Sequence, residues 1–178
     1  MSDLVDKALA FGFSHAADLD PSTLVLLAEV RDMCSADRCH QYDKNWVCPP
    51  ACGSLDENRK KMEGYTSGLL VQTTGLMEDD FDYEVMEKTG RLQQQSFASF
   101  RDILLADYPD ILALGSGGCQ ICETCTYPDA PCRFPEKAIP SMEAFGLWVS
   151  DVCVKNQLGY NYGPHTITYT SCYLFDKK

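Results

Sequence analysis

Ten cysteines in 178 residues constrain this chain more than any other feature, because they are not evenly spread. Four fall within residues 34–52 (Cys34, Cys39, Cys48, Cys52) and four within 119–132 (Cys119, Cys122, Cys125, Cys132). Cys153 and Cys172 stand alone. A disulfide framework distributes its cysteines, whereas reduced thiols gathered in short loops usually hold metal. The N-terminus bears on which applies. Asp3, Asp6 and Lys7 interrupt the apolar run that a secretory signal needs, and no A-x-A-type cleavage site follows. No stretch approaches the roughly 18 apolar residues of a membrane span. The expectation is a cytoplasmic chain with reduced, metal-binding thiols.

A chain of this length can bury a real core, and residues 1–178 are expected to form a single domain. Hydrophobic residues make up 45% and charged residues 23%, which argues against disorder. The net charge of −11 argues against nucleic acid and anionic membrane as partners, since both require clustered Lys and Arg. There is no internal repeat. The two cysteine groups differ in spacing, which gives no support to a tandem duplication.

The local patterns alternate helix and strand. Residues 3–11 predict a short helix and His15–Leu19 a strand. Asp20-Pro21 reads as an N-cap and first helical residue, opening a helix toward Met33. Ser54-Leu-Asp-Glu is a capping box that starts a helix to about Tyr65. Residues 68–74 read as a mostly buried strand and 81–107 as one or two helices ended by Pro109. Ile111–Leu114 reads as a strand, 141–157 as a helix, and Thr166–Phe175 as a final strand. The expected fold is α/β, a single layered domain of about four strands with helices packed on the sheet and two Cys-rich metal-binding loops.

The second group reads C-x2-C-x2-C-x6-C, a spacing similar to the bacterial ferredoxin run. A cubane cluster presents several irons close together, so three thiolates in one short loop can each take a different iron. One zinc instead needs four ligands around one point, usually from two C-x2-C knuckles. The spacing therefore favours a [4Fe–4S] cluster, with zinc and redox-active or structural thiols as alternatives. Gly115, Gly117 and Gly118 let the loop turn tightly and bring its N–H groups toward cluster sulfurs. In two-cluster ferredoxins the last cysteine of the run serves the other cluster, so Cys132 has two possible partners.

The first group, Cys34-x4-Cys39-x8-Cys48-x3-Cys52, is less regular. Pro49 and Pro50 stiffen the chain after Cys48, and Trp46 is placed to shield a metal centre from water. The leading reading is a second cluster. Zinc, one cluster shared between the groups and four unrelated buried thiols are the alternatives. His40 is a candidate substitute ligand, although a lone His beside a cysteine is more often an ordinary loop residue.

Two blocks carry a family resemblance. Cys39-x2-Tyr-x-Lys-Asn-Trp-Val-Cys-Pro-Pro and Cys119-x2-Cys-x2-Cys-Thr-Tyr-Pro-Asp-Ala-Pro-Cys-Arg-Phe-Pro-Glu-Lys-Ala, followed by Ser141-Met-Glu-Ala-x-Gly, resemble the predicted metal-binding proteins of domain-of-unknown-function family 2284. The resemblance covers essentially the whole chain. It implies a small cytoplasmic protein of bacteria or archaea with an iron–sulfur site, and no particular activity. It also implies metal-ligand roles for Cys34, Cys39, Cys48, Cys119, Cys122, Cys125 and Cys132.

Other residues have simpler readings. Cys153 shares helical spacing with Phe145, Val149 and Val152, and Cys172 alternates along a strand with Thr168, Thr170 and Leu174, so both are expected in a core. Arg133 can neutralise cluster charge, receive an anionic substrate or pair with a surface carboxylate. Tyr160–His165 reads as a hairpin-like turn. Glu78-Asp79-Asp80 reads as a solvated helix cap. No Walker loop, G-x-G-x-x-G after a strand or G-x-S-x-G is present. The functional expectation is electron transfer or redox support of a partner enzyme through one or two [4Fe–4S] clusters. An iron–sulfur enzyme acting on a small molecule through an open-site iron, and a structural zinc protein, are the alternatives. The two cysteine groups are expected to approach each other in space.

Overall fold

Two long strands carry apolar side chains on both of their faces, and this decides the architecture. In the computed structural model, which describes residues 3–177, these are β2 (Tyr65–Leu76) and β4 (Thr166–Lys177). They lie side by side in the middle of a four-stranded antiparallel sheet. Its edges are β1 (His15–Leu19) and the short β3 (Leu112–Leu114), in the order β1-β2-β4-β3. The register pairs Leu70 with Cys172, and Cys172 with Leu114 on the other side.

Side chains alternate across a strand, so each central strand feeds two cores. On one face Leu69, Val71, Tyr173 and Phe175 pack against Val5 and Ala8 of α1 (Asp3–Phe11) and against Phe97, Phe100 and Leu104 of α4 (Tyr83–Leu104). On the other face Leu70, Cys172 and Leu174 pack against α5 (Met142–Phe145) and α6 (Val149–Lys155). Complete burial of a leucine such as Leu69 or Leu70 contributes about 2 kcal/mol. The molecule is therefore α/β with helices on both sides of the sheet.

Helix α1 and strand β1 have the predicted bounds. Helix α3 (Leu55–Met62) begins at Ser54 with both halves of the capping box formed. Two predicted helices are corrected. The segment from Asp20 begins as a 3-10 turn, Pro21–Thr23, and becomes extended before α2 (Ala28–Ser35). Leu26 there bridges to Leu147, and Leu27 N–H donates to Gly146 O, so a tertiary pairing displaces local helix propensity. The predicted helix 141–157 is broken in two at Gly146, whose φ of +97° caps α5. A Cβ at Gly146 would stand 2.6 Å from Leu55 Cδ2, which makes glycine a packing requirement as well as a conformational one.

The two loops that matter are 36–54, between α2 and α3, and 115–141, between β3 and α5. The second is closed at its neck. Gly115 N–H donates to Pro140 O at 2.8 Å, and Gly115 O accepts from Met142 N–H at 3.0 Å. The strands 65–76 and 112–114 run in the same direction, with β4 between them as the antiparallel partner of both.

Candidate metal centre

Cys34 reaches the first group from the last turn of α2, and Cys39, Cys48 and Cys52 come from the loop that follows. Asp37 organises the turn: its carboxylate accepts from Tyr42 N–H at 2.9 Å and from Lys44 Nζ at 3.3 Å. Asp43 N–H donates to Pro49 O, folding the segment back on itself. Arg31 ties the loop's far end to the core, donating to Gly53 O at 2.9 Å and Ala144 O at 3.0 Å. The sulfurs of Cys34 and Cys52 face the carbonyls of Glu143 and Ala144 on α5, at 4.0 and 3.4 Å.

Cys34 and Cys48 sense other thiols of this group. Burial is the main cause that pushes Cys34 up, with Glu143, Cys39 and Cys52 adding to it and Arg31 opposing. Burial also pushes Cys48 up to about 11, helped by Cys39, Cys52 and Cys34 and opposed by a hydrogen bond from Asn45. Cys52 is raised by burial against Arg31 and Lys61. Cys39 is exposed, and His40 beside it is exposed with a φ of +57°, an ordinary turn position.

The second group lies in the neck-closed loop. Cys119, Cys122, Cys125 and Cys132 line one small enclosed hollow. Burial pushes the Cys119 thiol up. A hydrogen bond from Ile121 N–H opposes this, and Cys125, Cys122 and Cys132 reinforce it. Gly117 adopts a φ of +70°, and Gln94 Nε2 donates to Ser116 O at 2.8 Å and Gly118 O at 3.2 Å, holding the approach to Cys119 against α4. Arg133 donates to Thr124 O at 2.8 Å, so it braces the loop from within rather than forming a surface ion pair.

The two loops pack against each other. Asn45, Trp46 and Val47 of the first form part of the wall around the second group's hollow. Trp46 Nε1 donates to Ala130 O at 3.2 Å, and its ring meets Tyr127 edge-on at 5.0 Å. Tyr127 also donates to the Asp43 carboxylate. One cysteine from each group, Cys52 and Cys132, lines a single open groove of about 1030 Å³. Among the described residues, no three His, Cys, Asp or Glu side chains stand at the spacing that a single ion requires.

Cys153 and Cys172 are fully buried in the core on the α5–α6 side, and Gln72 Nε2 donates to Cys153 Sγ at 3.6 Å. The segment 160–165 is anchored by Tyr162 Oη donating to Gln72 Oε1 at 2.7 Å and by Met77 N–H donating to His165 O at 2.8 Å, and the exposed His165 side chain lies 3.6 Å from Asp80. Asn45 and Asn58, both buried, were not among the residues that sequence reasoning singled out. Polar residues in a loop carry no signature of burial until their partners are known.

A family model described as predicted metal-binding protein (DUF2284) matches residues 17–175. No curated protein and no solved structure matches the chain. No helix of the described residues is long and apolar enough to cross a membrane.

Proposed function

We propose that this chain, which belongs to the family of predicted metal-binding proteins, is an iron–sulfur protein carrying [4Fe–4S] clusters on its two cysteine loops and passing electrons to a partner. The observation that carries the reading is the hollow ringed by Cys119, Cys122, Cys125 and Cys132. Four thiols line it, no carboxylate or imidazole does, and the C-x2-C-x2-C run supplies three of the four sulfurs. Soft thiolates in that number suit iron–sulfur centres and zinc.

A bound cluster would supply one-electron chemistry. The chain's own residues set the conditions for it. Ile121 N–H donates to the Cys119 sulfur and Asn45 to the Cys48 sulfur, contacts of the kind that tune a cluster's potential. Arg31 and Lys61 favour the thiolate form at Cys52. Trp46 closes the second hollow from the side of the first loop. The acidic surface fits a partner with a basic face.

The groove shared by Cys52 and Cys132 favours a second reading, an iron–sulfur enzyme with a small-molecule site. Its walls bring Lys60, Lys61, Trp46 and Phe145 beside one cysteine of each group. Anaerobic purification with iron, acid-labile sulfide and zinc measured per chain tests the common premise. Iron and sulfide in matching amounts, with broad visible absorbance, are expected; colourless protein holding stoichiometric zinc overturns it.

A further inference from the structure

Buried polar atoms almost always find a hydrogen-bond partner, so those that do not point to something missing from their surroundings. Among the described residues two buried side-chain polar atoms lack one, Asn58 Nδ2 and Ser116 Oγ. They are 58 residues apart in the chain, and each sits close to one cysteine group.

Asn58 is fully buried on α3, directly against the end of the first loop. Its Oδ1 accepts from Lys61 Nζ at 3.1 Å, and the same ammonium donates to Cys52 O at 3.3 Å. That bond fixes which way the amide points, because a flipped amide would set its NH2 against an ammonium. Gly53, the residue after Cys52, packs so closely that a Cβ there would stand 3.2 Å from Asn58 Oδ1. Ser116 lies at the neck of the second loop, three residues before Cys119, and lines one cavity of about 250 Å³ with it. Its backbone oxygen is taken by Gln94, while its shielded hydroxyl has no acceptor.

Both atoms are donors, and each lies next to a segment that carries cysteines, Cys52 for Asn58 and Cys119 for Ser116, whose thiols become sulfur acceptors when deprotonated. We propose that Asn58 Nδ2 and Ser116 Oγ are positioning donors, one to the sulfur atoms of the centre held by Cys34, Cys39, Cys48 and Cys52, the other to those of the centre held by Cys119, Cys122, Cys125 and Cys132. The inference rests on the iron–sulfur reading above and deepens it: each cysteine group holds its own sulfur-rich centre, so a chain carries two. Hydrogen bonds to sulfur stabilise the more negative, reduced state of a cluster, and removing one makes reduction harder. In the metal-free protein the same donors are unsatisfied, and removing them relieves the burial of a polar group without a partner.

The test uses Asn58→Leu and Ser116→Ala in the full chain, purified anaerobically and compared with and without metal. In the metal-free form Ser116→Ala is expected to melt at the parent temperature or above it, and Asn58→Leu, which also gives up the bond from Lys61, to melt lower without metal but to lose more once loaded. In the loaded form each is expected to lower the reduction potential of one centre only, the first for Asn58→Leu and the second for Ser116→Ala, seen as one of two electron-paramagnetic-resonance signals shifting in a redox titration. Ser116→Thr, which keeps the hydroxyl, should restore the parent potential. Loaded variants with both potentials unchanged overturn the proposal while leaving the cluster reading intact. So does an equal fall in melting temperature with and without metal, which marks an ordinary structural role. A chain that takes up no iron or sulfide overturns the cluster reading itself, and this proposal with it.

Discussion

Cys48 is buried among three other thiols, and Asn45 donates to its sulfur, yet burial prevails and holds its pKa near 11. An unfolded thiol ionises near pH 9, so between those values the unfolded chain has lost a proton that the folded chain keeps. Unfolding is then favoured by rising pH. Stability should be complete below about pH 9 and fall as pH rises through about 11, by an amount on the order of 2 kcal/mol from this thiol. Cys34, Cys52 and Cys119 shift in the same direction and add to the slope. Urea melts of metal-free protein across that range, under reducing conditions, measure it; stability that rises with pH would contradict the assignment. Metal prefers thiolate, so loading should release protons, and uptake should strengthen with pH. The division between metal-group and core cysteines is tested by substitution. Cys122→Ala should cost iron at the second group, whereas Cys153→Ala should keep full iron content and lose about 1–2 kcal/mol of stability through a small cavity. Equal iron loss in both would show that the division is mistaken.

At the scale of elements, legibility followed how local each cause was. Ser54 and Glu57 are three residues apart and satisfy each other, so the start of α3 could be read directly. The continuous apolar run of β2 and the alternation read along β4 likewise announced buried strands. Their order in the sheet did not, because insertion of the last strand between β2 and β3 is decided by which faces remain to be covered. The two misread helices share one physical cause: Leu26 and Leu147 pair across more than a hundred residues, and each pulls its own segment out of helix. In the site, the grouping of the cysteines was visible in their spacing, but that Trp46 of the first loop walls the hollow of the second group was not. Nor were the orphaned donors Asn58 and Ser116, because lacking a partner is a property of three-dimensional surroundings. Gly146 gives the element-scale prediction. Gly146→Ala forces a positive φ on a residue with a Cβ and drives that carbon into Leu55, so it should destabilise the chain by about 2–3 kcal/mol in denaturant unfolding. Pairing it with Leu55→Ala should recover part of the loss, since the clash then has room.

At the scale of the whole molecule, a sheet clothed by helices on both faces leaves the two long loops to pack on each other. The seam between them is built from Trp46, Tyr127, Asp43 and the Ala130 carbonyl. None of these is a thiol, and Trp46 and Asp43 belong to the first loop, yet Trp46 walls the hollow of the second group. This makes a prediction that a pair of independent metal loops would not meet. Trp46→Ala removes an indole hydrogen bond and an edge-on ring contact from a half-buried position, at a cost of about 2 kcal/mol. It also opens the hollow around Cys119, Cys122, Cys125 and Cys132 to water. Metal held by the second group should then be lost to a chelator several-fold faster, although the substitution lies in the first loop. Tyr127→Ala, from the opposite side of the seam, should have a similar effect. The double variant should fall short of the sum, because both single changes break the same contact. Chelator-dependent loss of absorbance, followed separately for two kinetic phases, measures this. Faster loss confined to the phase assigned to the first group by Cys48→Ala would mean that the loops touch without depending on each other.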